Sequence, residues 1–301
     1  MSYDIKMIAL DLDNTTLRKD KSLSDRTRNA LVEAMKRGVY VVVASGRVFS
    51  SLPENVMGMP GLKYVINSNG ACITELPDDG PRFMYDTASD VTGLRNMRKL
   101  DPAYGTRIYN HFLPEETVRK ITDVLAGNGV LPEVLAGGYV YMDEAMYRDI
   151  EMNGSSFRHI DYTLWSRRPA HDIYAIIDEN ISCIETINMS IEDNELREKV
   201  KAELKQIEGV TVTNSVWFNI EVEAEGTSKG SALAFLLDQL GLDPSQLMAC
   251  GDSPNDGDMI KLAGLGVAVA NAEPVILELA DYVTDSSMED GVAKAVEKFV
   301  L

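Results

Sequence analysis

The feature that most constrains this chain is an alternation at both ends of the sequence, where short apolar runs are each followed by an amphipathic segment. The runs cover residues 6–10, 39–44 and 64–66, and then 247–250, 266–270 and 282–284. They are short for buried helices and too continuously apolar for strands with one wet face, so they predict strands covered by helices on both sides. Between the first two runs the pattern predicts a helix from Ser24, as N-cap, to Arg37, with Gly38 ending it. Further helices fit residues 231–240, 256–263, 274–280 and 288–299. The expected fold class is therefore α/β, a doubly wound parallel sheet.

The middle of the chain has a different texture. It mixes strand-like alternation, as in Gly138-Tyr139-Val140-Tyr141-Met142, with helical segments at 114–126 and 194–207, where Glu195 and Lys199 are spaced to pair at i,i+4. This predicts an α+β domain at residues 85–222 inserted into a core made of 1–84 and 223–301. The insertion follows Asn67-Ser68-Asn69-Gly70, where the third strand should end. That placement sets it beside the carboxyl edge of the sheet, where open α/β sheets bind ligands.

With 301 residues, one large domain or two of ordinary size are both feasible. The formal charge of −18, with no local block of Lys and Arg, disfavours nucleic acid and anionic membranes as partners. Any anionic substrate must then find local positive charge from a metal, a lysine or an arginine. Cys72, Cys183 and Cys250 are widely spaced and odd in number, which predicts reduced thiols. No long apolar segment is present at the N-terminus or elsewhere, so the expected location is the cytoplasm. His111, His159 and His171 lack metal-ligand spacing, and Gly264-Leu265-Gly266 precedes a strand where a dinucleotide fingerprint would follow one. Tyr139 to Tyr141, Trp165 and Trp217 are assigned to packing.

Four polar clusters carry the chemistry. Asp11-Leu12-Asp13-Asn14-Thr15 puts a carboxylate at a strand end, where it can attack phosphorus, and a second one two residues on, where it can move a proton; a capped turn explains the pair too. Ser45-Gly46-Arg47 offers a hydroxyl, backbone N–H groups and a guanidinium to a phosphate, although an N-cap accounts for Ser45 nearly as well. In Gly226-Thr227-Ser228-Lys229-Gly230, Lys229 can neutralise a phosphoryl group or simply lie at the surface; the stretch is not a P-loop. Gly251-Asp252-Ser253-Pro254-Asn255-Asp256 supplies hard oxygen ligands of the kind magnesium prefers and an amide for a phosphate oxygen, or else a polar turn. All four fall where the carboxyl edge of the sheet should be.

Together these clusters resemble the four ordered motifs of the haloacid dehalogenase superfamily. The large insert and the Asn69-Gly70 before it resemble the Cof-type, subclass IIB sugar-phosphatase branch, which carries an α/β cap in that place. The resemblance implies a Rossmann-like core with a cap that sets substrate choice, and a magnesium-dependent phosphatase acting on small phosphate monoesters, such as sugar phosphates, through an aspartyl phosphate. It implies Asp11 as nucleophile and metal ligand, and Asp13 as general acid and base that also binds the metal through its carbonyl. Asp252 would be a further metal ligand, with Asp256 supporting that set from behind. Ser45, Gly46, Arg47, Lys229 and Asn255 would bind phosphate. Asn14 stands where this branch usually has glycine; asparagine tolerates the left-handed conformation, so the turn is expected to survive. Two other readings remain, a phosphomutase and a receiver-like phospho-aspartate module. The proton-moving Asp13 and the large insert disfavour the second.

Overall fold

The computed structural model describes residues 3–86, 98–156, 158–214 and 218–301, so Trp217 lies outside the described residues. In chain order the strands are β1 (Met7–Leu10), β2 (Tyr40–Ala44), β3 (Tyr64–Asn67), β4 (Cys72–Glu75), β5 (Phe83–Tyr85), β6 (Arg98–Leu100), β7 (Thr106–Asn110) and β8 (Glu133–Ala136). They continue as β9 (Tyr139–Asp143), β10 (Arg167–Ala170), β11 (Ile184–Ser190), β12 (Val210–Thr213), β13 (Asn219–Ala224), β14 (Leu247–Gly251), β15 (Leu265–Ala268) and β16 (Tyr282–Val283). They form an eight-stranded sheet in the order β16-β15-β14-β1-β2-β3-β4-β7, a six-stranded sheet in the order β10-β9-β8-β11-β13-β12, and a ribbon of β5 and β6.

The large sheet follows from its apolar runs. Strand β1 lies at its centre, with Met7, Ile8, Ala9 and Leu10 at no more than 1% exposure, and pairs in parallel with β14 on one side and β2 on the other. Each fully buried large apolar side chain of this kind contributes roughly 1.5–3 kcal/mol. Strands β16 to β3 run parallel beneath covering helices, a doubly wound α/β core; β4 and β7 add antiparallel at one edge. The chain winds outward through β1, β2 and β3 in one direction and through β14, β15 and β16 in the other. The switch between the two halves lies between β1 and β14, and open sheets of this type bind ligands at the carboxyl ends beside such a switch. Asp11 follows β1 and Asp252 follows β14, so the topology alone brings the first and fourth clusters together.

Local signals hold where they were strongest. Ser24 caps the helix Asp25–Lys36 by accepting from the Thr27 N–H at 3.0 Å, and Gly38 follows with φ +82°. Two expectations need correction. Lys199 lies 4.0 Å from Glu203, one turn on, and forms no ion pair with Glu195, which sits in the first turn of the helix Asn194–Leu204. The sheets also do not divide at 84/85 and 222/223: Thr106–Asn110 still belongs to the large sheet and Asn219–Ala224 to the smaller one. Strand β7 is mixed in polarity because it lies at an edge, and nothing in its sequence separates it from the strands of the insert.

The six-stranded sheet has two unlike faces. Helices Glu115–Gly127 and Asn194–Leu204 pack on one of them, where Val118, Ile121 and Val200 meet Ile187, Met189 and Val222. The other is turned to the carboxyl edge of the large sheet, where Val48 of the core packs against Leu135 and Val140. Among the described residues no helix is long and apolar enough to cross a membrane.

Candidate active site

Asp11 leaves β1 only 7% exposed, and its Oδ1 accepts from Lys229 Nζ at 2.6 Å. Lys229, 1% exposed, also donates to Asp256 Oδ1 at 2.7 Å. It opens the helix Lys229–Leu240, whose N-cap Ser228 is pressed against Gly70; a Cβ on Gly70 would lie 2.1 Å from the Ser228 carbonyl oxygen, and its φ is +108°. Only glycine allows the turn after β3 to approach the lysine's helix so closely. Asp256 in turn accepts from the backbone N–H groups of Asp252 and Ser253 at 2.9 and 3.0 Å, and so shapes the loop after β14. Gly251 makes that fold-back possible, since a Cβ there would lie 2.5 Å from the Asp256 Cβ. Thr15 Oγ1 donates to Asp252 Oδ1 at 2.7 Å.

Carboxylate oxygens of Asp11, Asp252 and Asp256 lie within 4.8 Å of one another, with one ammonium among them. Burial pushes the Asp11 carboxyl up; Lys229 opposes this, and Asp256 and Asp252 add to it. Burial likewise raises Asp252, with the Thr15 hydrogen bond opposing. For Lys229, burial lowers the pKa, but Asp11 and Asp256 outweigh it and hold the ammonium charged. The cluster carries an excess of negative charge on hard oxygen donors, a donor set that suits a small divalent cation.

Asp13 is held differently. Arg47 grips it with two hydrogen bonds, Nε to Oδ2 at 2.8 Å and Nη2 to Oδ1 at 2.7 Å, while Lys21 Nζ reaches Oδ1 at 2.9 Å. Burial would raise the Asp13 carboxyl, but these cations hold it at about 2. Asn14 takes φ +61°, the left-handed turn expected of it, and its carbonyl accepts from Asn271 Nδ2 at 2.9 Å. Ser45 Oγ accepts from the Arg47 N–H at 3.2 Å. Asn255 Nδ2 donates to Asn69 Oδ1 at 3.2 Å, and Asn69 Nδ2 donates to Glu223 Oε1 of the insert at 2.7 Å.

Asp11, Asp13, Ser45, Gly46, Arg47 and Asn255 line a single cavity of about 290 Å³, whereas Lys229, Asp252 and Asp256 stand behind Asp11 and outside the lining. The opposite wall comes from the insert: Leu135, Tyr162, Thr186, Asn188 and Glu221. Two guanidiniums lie over the Tyr162 ring, Arg47 of the core 4.9 Å from its centroid and Arg167 of the insert at 5.4 Å. These residues belong to no sequence motif. Their one trace is the alternation Thr186, Asn188, Ser190 along β11, which leaves the polar side chains on the face away from Ile187 and Met189. The histidines play no part: His111 meets the Glu225 carbonyl, His159 caps the helix Ile160–Ser166, and His171 is exposed beside Glu144. Cys72 and Cys250 are buried free thiols.

A family model for haloacid dehalogenase-like hydrolases matches residues 8–89 and 101–296. The 5-amino-6-(5-phospho-D-ribitylamino)uracil phosphatase YcsE of Bacillus subtilis is 32% identical over 298 residues, spanning 99% of this chain and 97% of that protein. A haloacid dehalogenase-like hydrolase from Bacteroides thetaiotaomicron shares the fold with a TM-score of 0.75 at 24% identity, covering 98% of this chain and 99% of the other. The subclass IIB sugar phosphatase BT4131 does so with a TM-score of 0.71 at 20% identity, covering 98% of each chain. With its strand-end carboxylates, its inserted second sheet and these likenesses, the chain belongs to the haloacid dehalogenase-like hydrolase family, as one of its phosphoric monoester hydrolases.

Proposed function

We propose that the cavity hydrolyses a small phosphate monoester of the sugar-phosphate kind in two steps, with Asp11 as nucleophile and the inserted unit as the cap over it. The observation that carries this reading is the pairing of Asp11, buried and oriented by Lys229, with Asp13 and Arg47 on the same cavity wall. Lys229 occupies Oδ1 of Asp11, and Oδ2 takes no hydrogen bond among the described residues. That oxygen attacks phosphorus, the ester P–O bond breaks, and Asp13 gives its proton to the departing alkoxide. Water then attacks the phosphorus of the aspartyl phosphate and passes a proton to the Asp13 carboxylate. The acyl P–O bond breaks, freeing inorganic phosphate and the Asp11 carboxylate.

An acid held at about 2 carries no proton at neutral pH, so Asp13 works only when its clamp is released. The substrate phosphoryl group is the natural competitor for Arg47, because a guanidinium binds phosphate in the same forked manner as carboxylate. On binding, Arg47 turns from Asp13 to the phosphoryl oxygens, and burial then favours the protonated acid. Ser45, the Gly46 backbone and Asn255 hold the remaining phosphoryl oxygens. Lys229 acts from behind, favouring the ionised form of Asp11 against the burial that raises its carboxyl. Asp11, Asp252 and the Asp13 carbonyl would hold magnesium, with Asp256 behind them; when bound, the ion neutralises charge on the phosphoryl oxygens.

The test is hydrolysis of p-nitrophenyl phosphate with magnesium by the wild type and by Asp11→Asn; retained turnover in the variant would overturn the mechanism. For the natural substrate, the compound for which the Bacillus subtilis relative is named, 5-amino-6-(5-phospho-D-ribitylamino)uracil, is the first to assay, ranked by kcat/KM against other metabolite phosphates.

A further inference from the structure

On the phosphatase reading, we infer that Thr186, Asn188 and Glu221 form the subsite that holds the hydroxyl groups of the leaving alcohol and sets the preference for a hydroxylated over a carboxylated leaving group. The three residues come from neighbouring strands of the cap sheet. Asn188 on β11 is in register with Glu221 on β13 and with Glu133 on β8, and Thr186 is in register with Leu135. All but Glu133 line the cavity, across from the core residues that take the phosphoryl group.

The hydrogen-bonding state of this wall points to the ligand. Thr186 Oγ1 and Asn188 Oδ1 are buried, and neither has a partner among the described residues. Native proteins rarely leave buried polar atoms unsatisfied, and two adjacent ones on a ligand cavity are accounted for if the ligand completes them. Glu133 next to them is closed to such use, since Arg158 and Arg167 hold its two oxygens at 2.6 and 2.8 Å. The wall offers acceptors in the Asn188 amide oxygen, the Thr186 hydroxyl and the Glu221 carboxylate, which also accepts from Asn219 Nδ2 at 2.7 Å, and donors in the Thr186 O–H and the Asn188 amide N–H groups. Hydroxyl groups, which both donate and accept, match such a mixed surface. A leaving group bearing a carboxylate would face Glu221 with like charge. The cavity of about 290 Å³ holds the volume of roughly ten waters, enough for a phosphoryl group and a short hydroxylated chain.

The experiment compares kcat/KM for D-ribitol 5-phosphate with that for p-nitrophenyl phosphate, which has no hydroxyls. Loss of one hydrogen bond to substrate is expected to lower this ratio about tenfold in Asn188→Ala and in Thr186→Val, while Thr186→Ser, which keeps the hydroxyl, stays within about threefold of wild type. A ratio unchanged in both Asn188→Ala and Thr186→Val, or a wild type that prefers phosphoglycolate to ribitol 5-phosphate, would overturn the subsite. The phosphatase mechanism stands or falls separately on Asp11→Asn. If that variant still turned over p-nitrophenyl phosphate, calorimetric binding of ribitol 5-phosphate against inorganic phosphate would still decide the subsite, with a weakening of about tenfold expected for ribitol 5-phosphate alone.

Discussion

The two walls of the cavity are built on opposite principles. On the core side the charged groups are already satisfied within the protein: Asp11 and Asp256 by Lys229, Asp13 by Arg47 and Lys21, Asp252 by Thr15. On the cap side, Thr186 Oγ1 and Asn188 Oδ1 face the same space unpaired among the described residues. A wall held by its own bonds keeps the same groups in place for many substrates, with only the Arg47 clamp exchanged when a phosphoryl group arrives, and so can perform one chemistry on all of them. A wall that leaves bonds open takes its definition from what fills them. The division matches the topology, since the first wall is made of loops at strand ends around the switch point and the second of residues within cap strands.

The comparison breaks most decisively at Asp11. Asp11→Asn is expected to lower kcat by roughly 10⁴-fold or more, read with any phosphate ester, because the core wall serves all of them. Asp13→Asn should cost kcat about 10²–10⁴-fold, with a smaller loss for p-nitrophenyl phosphate, whose leaving group needs little proton assistance. Among the described residues Lys229 is the one cation between three buried carboxylates, so for Lys229→Ala a stability loss of about 3–5 kcal/mol is expected, seen as a melting point lower by roughly 10 °C. Magnesium should raise the melting point of the wild type, and chelation should abolish hydrolysis reversibly; a metal-indifferent enzyme would show that the acidic cluster serves packing only. The smallest effect tests the seam between the walls. Burial raises the Glu223 carboxyl to about 7, despite the hydrogen bond from Asn69. Its contribution to stability is therefore full below its unfolded pKa near 4.5 and is lost as pH rises through about 7. Glu223→Gln should flatten the pH dependence of the melting point across that window; an unchanged slope would remove Glu223 from the account.

The same contrast explains what was legible in the sequence. The core strands could be read because a strand buried on both faces is an apolar run, and the clusters because a polar group placed directly after such a run can only lie at its end. Lys229 reads in the sequence as a phosphate clamp, and nothing there discloses that it lies behind Asp11, outside the lining. The Arg47 clamp on Asp13 was hidden as well, since residues 34 positions apart meet only through the pairing of β1 with β2. Thr186, Asn188 and Glu221 were illegible for a different reason. Thr, Asn and Glu on the open side of a strand are ordinary residues there, and only the facing sheet makes them a wall.

Strand β7 has a practical consequence for anyone cutting this molecule. The chain crosses into the cap after Asn110 and returns after Ala224, and the crossings lie side by side, with His111 Nε2 and the Glu225 carbonyl oxygen 2.9 Å apart. A transplant made at residue 85 would tear an edge strand from the core, whereas scissors at these two crossings would leave the eight-stranded sheet whole. The cap is thus joined to its core like a drawer on two adjacent runners, and exchanging it between relatives is a matter of matching two neighbouring splice points.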